Sequence, residues 1–230
     1  MLKFFKTIFS PSLIFYYKEK NYISMLIKQS LFNFEKKSKW LDNGCGSRPF
    51  ENNFKDHEYI GVDIEKNSYA QAKKKPDIFY DGLVLPFEDN TFDGVLSTQV
   101  IGLCEDESKY IQEIYRVLKK NGKLIISAPF VFREVEKPHD YRRFTSFGIE
   151  KILKENNFEI KQNIKCLSAS ETIGMLLSNY LSNNFKNNII RKLVIVIFCF
   201  PIQIIFYLLF LILPDNNDLF YSSIVMAEKK

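Results

Sequence analysis

Cysteine is sparse and scattered in this 230-residue chain. Cys45, Cys104, Cys166 and Cys199 form no C-x-x-C pair, and neither histidine stands at metal-ligand spacing from them. That excludes a small disulfide scaffold and a zinc module, no metal site is expected, and a reducing cytosol fits. Glycine is scarce too, and there is no low-complexity tract and no repeat at solenoid or propeller spacing. The start carries Lys3 and Lys6, but its apolar run is broken early and no small-residue cleavage site follows, so a secretory signal is not expected. What is present is a chain of ordinary charge content, long enough for one generous domain with its own core.

Charge is unevenly spread. The whole chain is +5, and residues 1–40 hold eight Lys and two Glu. A basic arm on a neutral body suits an anionic surface, membrane or nucleic acid, or is a solvated helix face. Within it, Leu13, Tyr16, Tyr17, Ile23, Leu26, Ile27, Leu31 and Phe34 recur at roughly helical spacing, which predicts one or two amphipathic helices over 12–37.

From Lys39 short apolar runs alternate with helical stretches. The runs are Trp40-Leu41, Tyr59–Val62, Ile78–Tyr80, Gly94–Ser97 and Leu124–Ser127, later Phe158–Ile160 and Tyr221–Ala227. They read as mostly parallel strands buried on both faces. Between the fourth and fifth, Tyr110, Ile111, Ile114, Tyr115 and Leu118 share a helix face, and Asn121-Gly122 reads as its left-handed stop. Another helix is expected from Thr145 or Ser146, with Ile149, Ile152 and Leu153 inward. The alternation predicts a doubly wound α/β sheet. The domain reading is basic helices over 1–37 and one α/β domain over 38–230, with an apolar helical insertion at 189–213.

Three acidic turns fall in order at strand ends. Trp40-Leu41-Asp42-Asn43-Gly44-Cys45-Gly46-Ser47 sets an acid and two glycines where the first strand is expected to turn into a helix. Glycine there permits close approach of a ligand, and a helix N-terminus offers free N–H groups. Gly61-Val62-Asp63 ends the second strand with a carboxylate suited to ribose hydroxyls. Asp81-Gly82-Leu83 follows, ahead of Leu85-Pro86-Phe87 and Phe92-Asp93. Each aspartate alone is equally a turn residue.

With these segments the chain resembles the class I S-adenosylmethionine-dependent methyltransferases, in the subgroup with an LPF…FD segment before the fourth strand, over about 38–165 plus the last strand. The resemblance implies a seven-stranded sheet with an antiparallel last strand and S-adenosylmethionine as cofactor. It implies that Asp42, Gly44 and Gly46, with Cys45 beside them, line the methionine portion. Asp63 with Ile64 would meet the ribose, Asp81 with Gly82 and Leu83 the adenine, and Ser97 and Thr98 would sit beneath the sulfonium. Two positions depart from the pattern: the third glycine is Arg48, and the Glu-His pair after the fourth strand is Gly102-Leu103.

Beyond the fifth strand stands Arg133…Pro138-His139-Asp140-Tyr141-Arg142-Arg143-Phe144-Thr145. His139 can take a proton near neutral pH, and Arg133 or Arg143 can clamp an anionic acceptor. The other reading is a surface loop pinned by Asp140–Arg ion pairs with His139 exposed; His57, in a polar stretch, reads as solvated. The segment also resembles a pattern in methyltransferases of bacterial surface-polysaccharide synthesis, which implies a glycan acceptor, with a small molecule, quinone or lipid as the alternative.

Leu193–Leu213 is apolar except for Pro201 and Gln203, and long enough to cross a bilayer once. Pro201 is expected to break it into a hairpin of two short helices. That hairpin would touch the inner face of the cell membrane together with 1–37, cap the core, or form a dimer interface. Three rivals remain. A nicotinamide oxidoreductase would want a fuller G-x-G-x-x-G than a turn continuing Ser47-Arg48-Pro49. A silent, membrane-attached scaffold would keep the fold without turnover. Nucleic-acid methylation is not expected, since no motif for a flipped base follows the fourth strand.

Overall fold

The computed structural model describes residues 11–32, 34, 37–65, 74–185, 187–214 and 217–230. Lys3, Lys6 and Asp215 lie outside the described residues, as do the side chains of Leu13 and Tyr16. The chain forms two compact units. The smaller takes the chain up to Tyr22 and Lys165–Ser222; the larger takes Ile23–Ile164 and Ser223–Lys230.

The larger unit is organised by seven strands: β1 (Lys39–Asn43), β2 (Glu58–Asp63), β3 (Ile78–Phe79), β4 (Phe92–Thr98), β5 (Leu118–Pro129), β6 (Phe158–Cys166) and β7 (Ser222–Lys229). Their order is β3-β2-β1-β4-β5-β7-β6. The pairs from β3 through β5 are parallel and the last strand runs antiparallel. Order reverses at β1, whose neighbours are β2 and β4, so the crevice expected of such a sheet opens beyond the carboxyl ends of those strands.

Packing explains the strand residues. Trp40 stands opposite Gly94 across the β1–β4 pair, and a Cβ at Gly94 would meet the indole at 2.5 Å. The ring is fully buried, with its Nε1 donating to Ser38 Oγ at 3.0 Å. Helices α2 (Glu107–Val117) and α3 (Ser146–Glu155) bury Tyr110, Ile111, Ile114, Ile149 and Leu153 with Leu41, Val62, Val95, Leu124 and Ile126 of one sheet face. Caps fix both starts: Asp106 accepts from Lys109 N, and Thr145 from Gly148 N. The periodic residues over 12–37 form one helix, α1 (Pro11–Phe32), in which Ile23, Leu26 and Ile27 are buried. Its Ser30 hydroxyl reaches Met226 Sδ at 3.4 Å. Met226 alternates with Val225 and Ala227 of the α2–α3 core, so α1 meets the opposite face.

Several sequence expectations change. No α-helix follows β1: residues 44–57 hold only a 3₁₀ turn at Glu51–Phe54, after a stretch in which Gly44, Gly46 and Arg48 are all left-handed and Pro49 follows. Helix α2 stops at Val117, since Leu118 already pairs with Phe92 in the sheet. Asn121 does take the left-handed conformation (φ 61), but in a bulge of Lys119–Gly122 opposite Asp93 rather than at a helix end. β3 is an exposed edge, with Ile78 and Phe79 both accessible. His57 is not simply solvated; its Nδ1 lies 2.7 Å from Ser38 Oγ and accepts from Ser38 N at 3.2 Å.

In the smaller unit, α4 (Ala169–Asn183) is followed by α5 (Asn188–Val194), one π-helical turn at Ile195–Cys199, and α6 (Phe200–Ile212). The expected break at Pro201 does not occur, and 188–212 is one continuous helix. Pro201 lies in the first turn of α6, directly after the π turn, where its missing N–H is absorbed. A hairpin exists all the same, but its arms are α4 and the 188–212 helix.

Candidate functional site

Two aspartates end adjacent strands, and their roles differ. Asp63 is 6% exposed and accepts from Gly46 N at 2.9 Å with Oδ2 and from Ile64 N at 2.8 Å with Oδ1. It therefore pins the glycine loop to β2. Gly44 N and Cys45 N both donate to Val62 O, tightening the same joint. Gly44 (φ +77) and Gly46 (φ +53) need left-handed backbone. A Cβ on Gly44 would meet Val100 at 2.3 Å, whereas one on Gly46 would have nothing within 4 Å.

Asp42 is buried below that loop. Its Oδ2 accepts from the Tyr59 hydroxyl at 2.5 Å, while its Oδ1 is buried with no hydrogen-bond partner among the described residues. Burial pushes its carboxyl up to about 7, opposed by the Tyr59 hydrogen bond. The same burial, reinforced by the neighbouring carboxylate, raises the Tyr59 hydroxyl. Next to Asp42, Asn43 accepts from the Tyr80 hydroxyl at 2.7 Å and leaves Nδ2 buried with no partner among the described residues.

Arg48 is left-handed, at φ 58, a strain of about 1–2 kcal/mol for a residue with a Cβ. Its guanidinium binds Asp77 at 2.6 Å and Glu51 at 3.2 Å and stands 5.0 Å from the centre of the Tyr59 ring. Asp77 in turn accepts from Gly61 N at 2.8 Å. Arg48, Tyr59, Asp77 and Tyr80 thus brace the loop, and sequence reasoning missed all four roles. The one signal was Arg48 itself, standing where a glycine was expected.

Asp81 caps its own turn, Oδ1 accepting from Leu83 N at 2.8 Å and Val84 N at 3.1 Å; these bonds hold its carboxyl below the usual range. Gly82 takes φ +82, with Ile64 beneath it. The LPF…FD segment has a structural reason. Leu85 is buried, Phe87 and Phe92 meet edge to face at 4.8 Å, and Arg116 of α2 binds Leu85 O, Phe87 O, Asp89 and Glu113. Ser97 is fully buried with its hydroxyl 2.8 Å from Tyr110 Oη, and Thr98 is half-buried at the end of β4. The structure therefore brings Asp42, Gly44, Cys45, Gly46, Asp63 and Ile64 together, while the Ser97 side chain is turned into the core.

After β4, Gln99 turns left-handed (φ 61) and a 3₁₀ turn, Ile101–Leu103, carries the chain over Gly44. Gly102 O accepts from Tyr141 N and Arg142 N, and a Cβ on Gly102 would meet Arg142 O at 2.7 Å. The missing Cβ at Gly102 thus makes room for the Arg142 backbone. That loop is pinned: Arg143 grips both oxygens of Asp140 at 2.5 and 2.6 Å and Arg133 O at 3.0 Å, while Asp140 also accepts from Val135 N. This pairing holds the Asp140 carboxyl below its ordinary range. Arg142 reaches Cys104 O, Glu105 O and Glu107. His139 is exposed, with Nδ1 3.0 Å from the Tyr141 hydroxyl, and Arg133 is exposed. Phe132, Glu134, Asp140, Tyr141, Arg142 and Arg143 line an open cavity of about 230 Å³.

A sheet of this order, with a glycine loop pinned to the second strand's acid, can hold a nucleoside-bearing ligand over β1 and β2. Residues 41–126 match a methyltransferase domain. An uncharacterised protein of Methanocaldococcus jannaschii is 42% identical over 107 residues, 45% of each chain. The demethylmenaquinone methyltransferase of Symbiobacterium thermophilum is 33% identical over 103 residues, 40% of this chain and 38% of its own. The chain thus spans less than half the length of these two curated relatives. Among solved structures, Haemonchus contortus phosphoethanolamine N-methyltransferase 2 in complex with S-adenosyl-L-methionine is similar with TM-score 0.58 and 21% identity, over 90% of this chain and 52% of that one. That likeness establishes the methyltransferase fold.

Proposed function

We propose that this protein is an S-adenosylmethionine-dependent methyltransferase. The observation that carries the reading is the Gly44–Gly46 loop, held on Asp63 beside two buried polar atoms without partners among the described residues, Asp42 Oδ1 and Asn43 Nδ2, in the segment that matches the domain. Those atoms and the open space at Gly46 fit the cofactor. Asp42, Gly44, Cys45 and Gly46 would hold its amino-acid end, Asp63 and Ile64 its ribose, Asp81, Gly82 and Leu83 its base, and the backbone of Ser97 and Thr98 its sulfonium. The bound cofactor supplies an electrophilic methyl group, and in-line transfer then depends on positioning and exclusion of water.

The 133–143 loop is the acceptor side. Asp140 and Arg143 set its shape through their bidentate pair, Arg133 offers a guanidinium to an anionic group, and His139 takes the proton from a hydroxyl acceptor. The acceptor in this reading is a small molecule or glycan, carried as a lipid-linked surface-polysaccharide intermediate at the cytoplasmic face of the cell membrane. The His139–Thr145 pattern and the apolar segment support it, and membrane contact would run through 1–37 and 189–213. A quinone or lipid headgroup is the second reading, favoured by the demethylmenaquinone methyltransferase among the relatives.

Calorimetric titration with S-adenosylmethionine tests the cofactor assignment. Saturable binding is expected for the natural protein, and a loss of about ten-fold or more for Asp63→Ala, which frees the Gly46 loop. Folded protein that takes up no S-adenosylmethionine would refute it.

A further inference from the structure

The hairpin of α4 and the 188–212 helix is built inside out. Its buried positions are largely small or polar: Thr172, Gly174, Ser178 and Ser182 on α4, and Cys199 and Gln203 opposite, beside Met175, Val194 and Ile195. Gly174, Ser178 and Ser182 recur every fourth residue, a small-residue stripe that lets helices close up. A Cβ on Gly174 would meet Phe206 at 2.8 Å, and Cys199 Sγ lies 3.5 Å from Ser178 O. The outward positions are the greasy ones. Leu193, Ile197, Ile204, Leu208 and Leu211 form one exposed stripe, with Ile173, Leu177 and Tyr180 exposed on α4. Water favours the reverse arrangement, so this surface is made for an apolar solvent.

Charge says which apolar partner. From Thr172 to Pro214 there is no acidic residue, while Lys186, Arg191 and Lys192 are basic, and Arg191 and Lys192 are exposed. The acid at the hairpin's base, Glu171, is paired with Lys18, whose ammonium also stands 5.8 and 5.6 Å from the rings of Tyr207 and Phe210. Lengths say how deep. Helix 188–212 has 25 residues and is only 17% buried over its most apolar window, about 37 Å. α4 has 15 residues, about 22 Å, short of the ~30 Å hydrocarbon core. The two ends of the excursion are tied together, Tyr221 N donating to Cys166 O at 3.0 Å. A single crossing would separate them, and α4 cannot make the return.

We infer that the α4/188–212 hairpin lies embedded in one leaflet of an anionic lipid bilayer, its outer stripe among the acyl chains and Arg191 and Lys192 at the headgroups. The inference rests on the hairpin alone and stands or falls apart from methyl transfer. Full-length protein is floated on a density gradient with vesicles of phosphatidylcholine, and with vesicles of phosphatidylcholine and phosphatidylglycerol in equal parts. Flotation is expected with both, about ten-fold stronger with the anionic vesicles at low salt. Ile197→Glu/Ile204→Glu/Leu208→Glu should lose it while the buried Trp40 keeps its native fluorescence. As a check free of mutation, tryptic cleavage after Arg191 and Lys192 should slow when anionic vesicles are added. Natural protein that stays at the bottom with both vesicle types overturns the inference, and a dimer in that fraction assigns the stripe to a second copy. Equal flotation on both overturns the role given to Arg191 and Lys192.

Discussion

Asp42 carries a fold burden that its position in a turn motif does not reveal. An ordinary aspartate is ionised above about pH 4, but burial holds this one protonated up to about 7. The folded state therefore keeps a proton that the unfolded chain releases between those values. Asp42's contribution is most favourable below pH 4 and declines as pH rises to 7, after which it is level. Asp42→Asn should melt near the natural protein at about pH 5 and be more stable by roughly 2–4 kcal/mol at about pH 8. Denaturant titrations at the two values check this; a difference that shrinks with rising pH would contradict it. Asp63 has a different part, accepting from the backbone N–H groups of Gly46 and Ile64. Both acids were legible as site candidates, yet nothing in their spacing said that one lacks a partner for Oδ1 while the other anchors a loop. Those roles come from Tyr59 and Gly46, brought in by β2 and the turn.

At the scale of elements, the strands were legible because each is a short apolar run, and α2 and α3 because caps and periodicity coincide. The helix expected after β1 was not there, its place taken by a turn-rich segment in which Gly44, Gly46 and Arg48 are all left-handed. The tie between the glycine loop and the turn after β4 was invisible: Val100 lies 56 residues along the chain from Gly44, yet its side chain occupies the place of a Gly44 Cβ. Gly44→Ala is expected to lose about 1–3 kcal/mol of stability and most cofactor binding, through overpacking and left-handed strain. Val100→Ala in the same chain removes the clash and should restore part of the stability, leaving the strain. Urea denaturation of the single and double variants measures the coupling, and additive losses would show that the contact does not matter.

At the scale of the whole molecule, the proposed site lies in the larger unit, which also holds the only tryptophan, Trp40. A ligand at a hundred times its dissociation constant stabilises its host by about 2.7 kcal/mol. S-adenosylmethionine should therefore raise the midpoint of the Trp40 fluorescence transition. Ile197→Glu/Ile204→Glu/Leu208→Glu should leave that rise intact, because none of those positions belongs to the larger unit. A midpoint that ignores the ligand would count against the site.

The sequence by itself determined the sheet class, the strand-end acids and the apolar stretch, because period and turn chemistry are local and survive without partners. The tertiary structure alone decided which groups meet: Arg48 with Asp77, Gly102 with the Tyr141–Arg142 backbone, α4 with the 188–212 helix. It also decided that Pro201 continues a helix, since a π turn before it removes the conflict that the residue creates in isolation. Contacts between distant segments depend on how many elements share the space, and no local pattern contains that information.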